Sequence, residues 1–115
     1  MGGTWRNTWE TTSFTAELGD EGHDRLRVRI RVEQDAVVRF AVQYEAQIGG
    51  DWHPVVRYDS GHGYGHRDRL DRHGRNIEKL YLGLSVHFAE IVTSGIDDIK
   101  TNWQSYREAF LRRDP

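Results

Sequence analysis

The segment from Arg57 to Asp68 concentrates side chains that can transfer protons and bind anions. It reads RYDSGHGYGHRD and holds two imidazoles, two carboxylates, two guanidiniums and two phenols. Histidine titrates near neutral pH, so a pair of histidines can supply a general base and a general acid. Arginine stabilises charge that develops on a phosphoryl group. These groups are the minimum set for metal-independent cleavage of RNA, in which a 2′-hydroxyl attacks the adjacent phosphorus.

In this interpretation, one histidine removes the proton of the 2′-hydroxyl and the other protonates the leaving oxygen. An arginine holds the phosphate through paired hydrogen bonds. The glycines of the segment let the backbone approach a ligand closely. The residues predicted to be catalytic are His62, His66, Arg57, Arg67, Asp59 and Tyr58.

Two other interpretations of the same segment stay open. His62 and His66, with Asp59, Asp68 or His73, form a candidate transition-metal site. A His-x3-His pair indicates zinc when it lies on a helix, and the nearby glycines argue against a helix, so we predict no metal and no cofactor. In the other interpretation the segment is a polar loop whose histidines bond to its aspartates.

A second group of cations lies in the stretch RLRVRIRV, from Arg25 to Val32. Side chains alternate across a β-strand, so its four arginines share one face and its apolar residues share the other. Arginine pairs with phosphate through two parallel hydrogen bonds, which favours nucleic-acid binding. The residues predicted to bind nucleic acid are Arg25, Arg27, Arg29, Arg31 and Arg39.

The alternative for this arginine-rich face is a solvated sheet surface with cross-strand Arg–Glu pairs, or an oligomer interface. We predict that the face lacks the exposed aromatic residues on which RNA-binding sheets stack bases. Trp52 is assigned to the core, while Trp9 is expected to dock onto the sheet or onto a partner.

Apolar alternation predicts the elements that position these side chains. Strands are predicted at residues 10–18, 25–33, 36–47 and 52–58, with a short further strand at 75–83. Gly49-Gly50 supplies a tight hairpin turn. Residues 59–74 show no apolar period and are predicted to form a long loop.

The C-terminal part of the chain has helical periodicity. Between residues 85 and 112, apolar residues recur at spacings of one, three or four and form a broad stripe. They are Phe88, Ile91, Val92, Ile96, Ile99, Trp103, Tyr106 and Phe110. The predicted fold is α+β, an antiparallel meander of four to five strands with one C-terminal amphipathic helix packed on one face.

Length and composition exclude several classes of protein. The chain has 115 residues, so we expect one domain over 1–115, with 1–9 as a loosely ordered lead-in. It has no cysteine, which excludes a thiolate metal site or a cysteine nucleophile. No apolar run is long enough for a membrane span or a signal peptide, so we expect a cytoplasmic protein with no membrane contact.

Part of the chain resembles known proteins. The run VVRYDSGHGYGHRD fits the pattern VVRYDxxHGxxHRD of a group of small uncharacterised bacterial proteins, and the resemblance covers about residues 25–112. The Tyr-Asp step before a histidine-rich loop is similar, more distantly, to the TumE-type toxins of bacterial toxin–antitoxin pairs. That second resemblance implies an RNA-directed or translation-blocking toxin with a helix-turn-helix partner. It carries over the residues Arg57, Tyr58, Asp59, His62 and His66.

The leading hypothesis is therefore a small RNA-directed, toxin-like or defence-associated protein that acts as a metal-independent ribonuclease. The alternative is a non-enzymatic subunit of a larger assembly, which binds nucleic acid or protein through its arginine-rich sheet face. The partners expected are RNA, an antitoxin or another protein, and a second copy of the chain. Neither hypothesis requires a cofactor.

Overall fold

The computed structural model describes residues 9–113, which form one antiparallel sheet and one long helix. The six strands follow one another in chain order across the sheet. They are β1 (Thr12–Glu17), β2 (Asp24–Glu33), β3 (Ala36–Ile48), β4 (Asp51–Asp59), β5 (Gly65–Leu70) and β6 (Asn76–Gly83). The helix α1 spans Phe88–Arg112. The α+β class and the meander are confirmed, with six strands where four to five were predicted. Residues 1–8 of the predicted lead-in lie outside the described residues.

Alternation in β2, and in β3 from Arg39 onward, builds the core of the sheet, while a register shift near Val38 interrupts it at the start of β3. Leu26, Val28, Val42 and Tyr44 are fully buried on the face that α1 covers, because successive side chains of a strand point to opposite faces. The apolar stripe of α1 packs onto this face. Within residues 9–113, no helix has the length and apolar character needed to cross a bilayer.

Helix α1 lies unusually close to β4 at one residue. Gly95 is buried, and a Cβ atom at this position would lie 2.9 Å from the Cγ atom of Tyr58. The helix continues without interruption through this glycine. Gly95 therefore serves close packing of helix on sheet rather than ending the helix.

The prediction of a loop over residues 59–74 is wrong, because β5 lies inside that range. A short 3-10 helix (Gly61–Gly63) joins β4 to β5. Strand β5 carries polar residues on both faces: Arg67 and Arg69 lie on the helix side, and His66 and Asp68 lie on the other side. A strand of this composition has no apolar alternation to reveal it.

The core assignment of Trp52 is also wrong. A bulge shifts the β3–β4 register between Tyr44↔Val56 and Glu45↔Pro54. One extra residue in a strand reverses the side on which the preceding side chains lie. His53 therefore packs near Phe110 of α1, with ring centroids 6.0 Å apart, and Trp52 lies on the opposite face.

A polar cluster joins the helix to the sheet within this interface. The hydroxyls of Tyr58 and Tyr106 each donate to Oδ2 of Asp98, at 2.6 Å in both cases. Asn102 donates to the other oxygen of the same carboxylate at 2.8 Å. Burial, and then the hydrogen bond to Asp98, raise the pKa of Tyr106 to about 12 and raise the pKa of Tyr58 as well.

These raised values predict that the protein loses stability in alkali. Tyr44 joins the group, because burial and then its hydrogen bond to Asp24 raise its pKa. The unfolded chain releases phenolic protons at the ordinary pKa of 10.0, while the folded chain keeps them to higher pH. The stabilisation is complete below about pH 10 and is lost as the pH rises through the folded values.

Urea unfolding at several pH values measures this effect. We expect the unfolding free energy to fall between about pH 10 and pH 12, and to fall less steeply in Tyr106→Phe, which has one fewer phenol. A free energy of unfolding that stays constant over this interval would contradict the assignment.

Candidate nucleic-acid interface

The side of the sheet that α1 leaves uncovered, called the open face below, collects most of the cations predicted from the sequence. Antiparallel register places Arg27 beside Gln43, and Gln43 beside Arg57, across β2, β3 and β4. Arg31 lies beside Arg39 in the same way. All the residues predicted to bind nucleic acid lie on this face: Arg25, Arg27, Arg29, Arg31 and Arg39.

Most of these arginines contact carboxylates. Arg25 donates to Glu45 at 2.6 Å, and Arg27 lies 3.7 Å from the same carboxylate. The other two arginines of β2 also form ion pairs. Arg29 pairs with Glu10 at 3.2 Å, and Arg31 pairs with Glu33 at 2.7 Å. Burial lowers the pKa of Arg27, against the opposing effect of Glu45. The Arg–Glu pairing that the sequence offered as an alternative is therefore present on the open face.

A cleft of about 340 Å³ opens on this face over β3 and β4. Within the part of the chain that the structure describes, Arg39 and Arg57 make no ion pair with a carboxylate. The Nε atom of Arg57 donates instead to Oε1 of Gln43 at 2.6 Å. The cleft thus holds two guanidiniums whose charge is not neutralised by an acidic partner. Its polar and aromatic lining includes Trp9, Arg29, Arg39, Gln43, Arg57, Asp59 and Ser60.

Two half-buried tryptophans lie on the open face, each with arginine over its ring, and the prediction that the face lacks exposed aromatic residues stays a prediction. The guanidinium carbons of Arg29 and Arg39 lie 4.4 and 4.2 Å from the ring centroid of Trp9. Arg25 lies 3.8 Å from the ring of Trp52. Trp9 docks onto the sheet, which is one of the two positions expected for it from the sequence. The bulge in β4 hides Trp52 from a simple alternation rule, and Pro54, which lies at the bulge, is the sequence signal that could have revealed it.

His66 lies at one end of this surface, buried between two carboxylates. Its side chain is 3% exposed. Nδ1 lies 3.2 Å from Oδ1 of Asp68, and Nε2 lies 2.9 Å from Oδ1 of Asp59. The second approach lacks the alignment of a hydrogen bond, which leaves Nε2 without a hydrogen-bond partner among the described residues. Asp59 Oδ1 instead accepts a hydrogen bond from the Gly61 N–H at 2.7 Å.

The structure brings together four of the six residues predicted to be catalytic. Asp59 lies opposite His66 in the register of β4 and β5, and Arg57 lies opposite Asp68. His62 is exposed in the 3-10 helix, and its ring centroid lies 6.3 Å from that of His66.

The other two predicted residues lie under α1, on the opposite side of the sheet. Tyr58 donates to Asp98, and Arg67 donates to Glu78 at 3.1 Å. Strand alternation causes this separation, because Tyr58 lies between Arg57 and Asp59 and therefore faces the other way.

This geometry bears on the proposed proton transfer. A general base must come within hydrogen-bond reach of the proton that it removes. Of the two predicted proton-transfer residues, His62 is exposed and His66 is enclosed by Asp59 and Asp68. RNA cleavage by these residues stays a prediction.

The fold and this surface define a class: a small α+β protein whose six-stranded meander has one face covered by a helix and one uncovered, arginine-rich face. Residues 7–115 match the model of a family described as Domain of unknown function (DUF7718). The chain belongs to this family. No curated protein and no solved structure matches the chain. The resemblance to TumE-type toxins stays a prediction.

Proposed function

We propose that this protein binds single-stranded RNA on the open face of its sheet, with the cleft over β3 and β4 as the main phosphate-binding position. One observation carries the proposal. Arg29, Arg39 and Arg57 line one cleft, and two of them have no carboxylate partner within residues 9–113.

The arginines of the open face contribute unequally to this proposal. Arg25 and Arg27 share the carboxylate of Glu45, so a phosphate would have to displace an existing partner. Arg39 and Arg57 have no such partner to give up among the described residues. Guanidinium and phosphate form paired, charge-assisted hydrogen bonds, which are stronger than neutral ones. The affinity for phosphate is therefore concentrated in the cleft.

The tryptophans favour a single strand over a duplex. Bases stack on aromatic rings only where their faces are exposed, as in unpaired RNA. Trp9 lines the cleft with the guanidiniums of Arg29 and Arg39 over its ring, so a base next to the bound phosphate meets a guanidinium plane or the part of the ring left uncovered. Trp52 lies further along the same face, against Arg25. Alternating cations and aromatic rings are typical of surfaces that bind single strands.

Asp59 is the acidic residue of the cleft, and its charge opposes phosphate binding. Its Oδ1 atom is already engaged by the Gly61 N–H and lies against the imidazole of His66. Only 22% of its side chain is exposed. The guanidiniums of Arg39 and Arg57 therefore dominate the charge that a ligand meets in the cleft, since Arg29 is paired with Glu10.

Replacing Trp9 tests the proposal at the aromatic residue of the cleft. We expect Trp9→Ala to weaken binding of a labelled single-stranded RNA about tenfold, since stacking contributes roughly 1–3 kcal/mol per base. Fluorescence anisotropy measures the affinity. Phe14→Ala is the matched control, because Phe14 is an exposed aromatic residue on the helix side of β1.

Three ligands complete this experiment: single-stranded RNA, single-stranded DNA of the same sequence, and an RNA duplex. We expect the duplex to bind more weakly than the single strand and to be insensitive to Trp9→Ala. Equal losses in the Trp9 and Phe14 variants, or stronger binding of the duplex, would contradict the proposal.

A further inference from the structure

One group of side chains beside the cleft is not used by RNA binding. Asp59, His66 and Asp68 each offer a ligand atom, and these atoms lie within 4.8 Å of one another. Strand pairing fixes their positions, because Asp59 and His66 are partners across β4 and β5 and Asp68 is two residues from His66. All three side chains lie on the same face of the sheet.

The buried ring nitrogen of His66 points to a ligand. Nε2 has no hydrogen-bond partner among the described residues, although Oδ1 of Asp59 is only 2.9 Å away. A nitrogen and an oxygen at this distance that share no hydrogen bond have the spacing of two neighbouring ligands of one metal ion. Bonds of about 2.1 Å at a right angle place two such ligands about 3.0 Å apart.

Glycine at position 61 leaves space beside these two atoms. A Cβ atom on Gly61 would lie 3.1 Å from Oδ1 of Asp59 and 3.7 Å from Nε2 of His66. Any larger residue would place its side chain against both donors. His62 follows directly, is exposed, and has its ring 6.3 Å from that of His66. Its imidazole is therefore a candidate further ligand at this position.

The charges at this position also favour a cation. Two carboxylates face one imidazole, and Lys79 forms an ion pair with Asp68 at 3.8 Å, which leaves Asp59 without a lysine or arginine partner among the described residues. Arg57, on the neighbouring strand, donates to Gln43 rather than to either aspartate. A bound cation would compensate the carboxylate of Asp59.

We propose that Oδ1 of Asp59 and Nε2 of His66 bind a divalent transition-metal cation at this end of the open face, with His62 available as a further ligand. Asp68 is hydrogen-bonded to Nδ1 of His66 and orients the imidazole. Mixed imidazole and carboxylate donors suit ions such as Zn²⁺ and Mn²⁺ better than Ca²⁺, which prefers oxygen alone. This proposal departs from the sequence-based expectation of no metal and takes up the transition-metal alternative that the sequence left open. It does not rest on RNA binding, because its ligands differ from the arginines of the cleft.

Calorimetric titration of the metal-free full chain with Zn²⁺, and separately with Mn²⁺, tests the proposal. We expect one equivalent of metal to bind, and Asp59→Asn to weaken binding about tenfold or more, as even outer-shell changes cost about 10–100-fold. Asp59 is partly exposed, so this variant is expected to fold, which circular dichroism checks. His87→Gln is the matched control, because His87 and Glu90 form an exposed pair that binds metal only as an ordinary surface site.

A spectroscopic readout on the unmodified protein supports the titration. Long-range ¹H–¹⁵N spectra resolve histidine ring nitrogens, and we expect Zn²⁺ to shift the Nε2 resonance of His66. Three results would each overturn the proposal. They are the absence of tight binding of one equivalent of metal, an unchanged metal affinity in Asp59→Asn, and resonance shifts confined to exposed histidines. The RNA-binding measurements, made in a chelator, are unaffected by any of these outcomes.

Discussion

Replacing Arg39 and Arg57 together by glutamate is expected to lower the affinity for single-stranded RNA by about 100-fold or more. Each guanidinium is expected to donate charge-assisted hydrogen bonds to phosphate, and the net contribution of such a bond is about 1.5–3 kcal/mol. Neither arginine has a carboxylate partner in the described part of the chain. The substitutions therefore remove phosphate contacts without breaking an ion pair within the protein. The reversed charges add repulsion of the phosphates.

A matched control separates this effect from the change in net charge. Arg72 and Arg112 are exposed in the β5–β6 turn and at the end of α1, away from the cleft. The double variant Arg72→Glu/Arg112→Glu changes the net charge by the same amount. We expect it to lose only a small factor in affinity, as measured by anisotropy at the same salt concentration. Equal losses in the two double variants would show that binding is diffuse and would contradict the assignment of the cleft.

Replacing Asp98 by alanine is expected to lower the free energy of unfolding by about 2–4 kcal/mol. The carboxylate accepts hydrogen bonds from the phenols of Tyr58 and Tyr106, both of which are buried between α1 and the sheet. Without it, two phenols lose their acceptor in an interface that water does not readily enter. Leaving a buried polar group unpaired costs about 1–3 kcal/mol.

Asp97 provides a control one residue away on the same helix. It is exposed, so Asp97→Ala changes charge and helix propensity in the same way without affecting the phenols. We expect its unfolding free energy to stay within about 0.5 kcal/mol of the original. Urea unfolding measures both variants. If Asp98→Ala proves as stable as Asp97→Ala, the cluster does not fasten the helix to the sheet.

The fold could be predicted where one face of each element is apolar. In β2 and β3, arginine or other polar residues alternate with buried valine, leucine and phenylalanine, and this pattern identifies both strands. Strand β5 could not be found in this way. Arg69 extends over the ring of Tyr106 at 5.2 Å, so its long side chain covers an apolar surface that the sequence would assign to a hydrophobic residue.

The candidate site could be predicted in part for a related reason. The arginine stripe followed from alternation within β2 alone. The separation of Tyr58 from Arg57 and Asp59 would have followed from the same rule applied to β4. The convergence of Trp9, Arg39 and Arg57 on one cleft depends on the order and register of β2, β3 and β4, which no single stretch of sequence encodes. The position of Trp52 depends on a bulge at Pro54, and a proline inside a central strand indicates such a bulge only once the strand order is known.

The affinity of the unaltered protein for single-stranded RNA, measured across a range of salt concentrations, tests the central claim most directly. Neutralising phosphates releases counterions, and for single strands the slope of log K against log salt is about −0.7 for each phosphate contacted. Arg29 is already paired with Glu10, so contacts from Arg39 and Arg57 predict a slope of about −1.4. The absence of binding at about 50 mM salt, or an affinity that does not change with salt, would contradict the claim that the open face binds the RNA backbone.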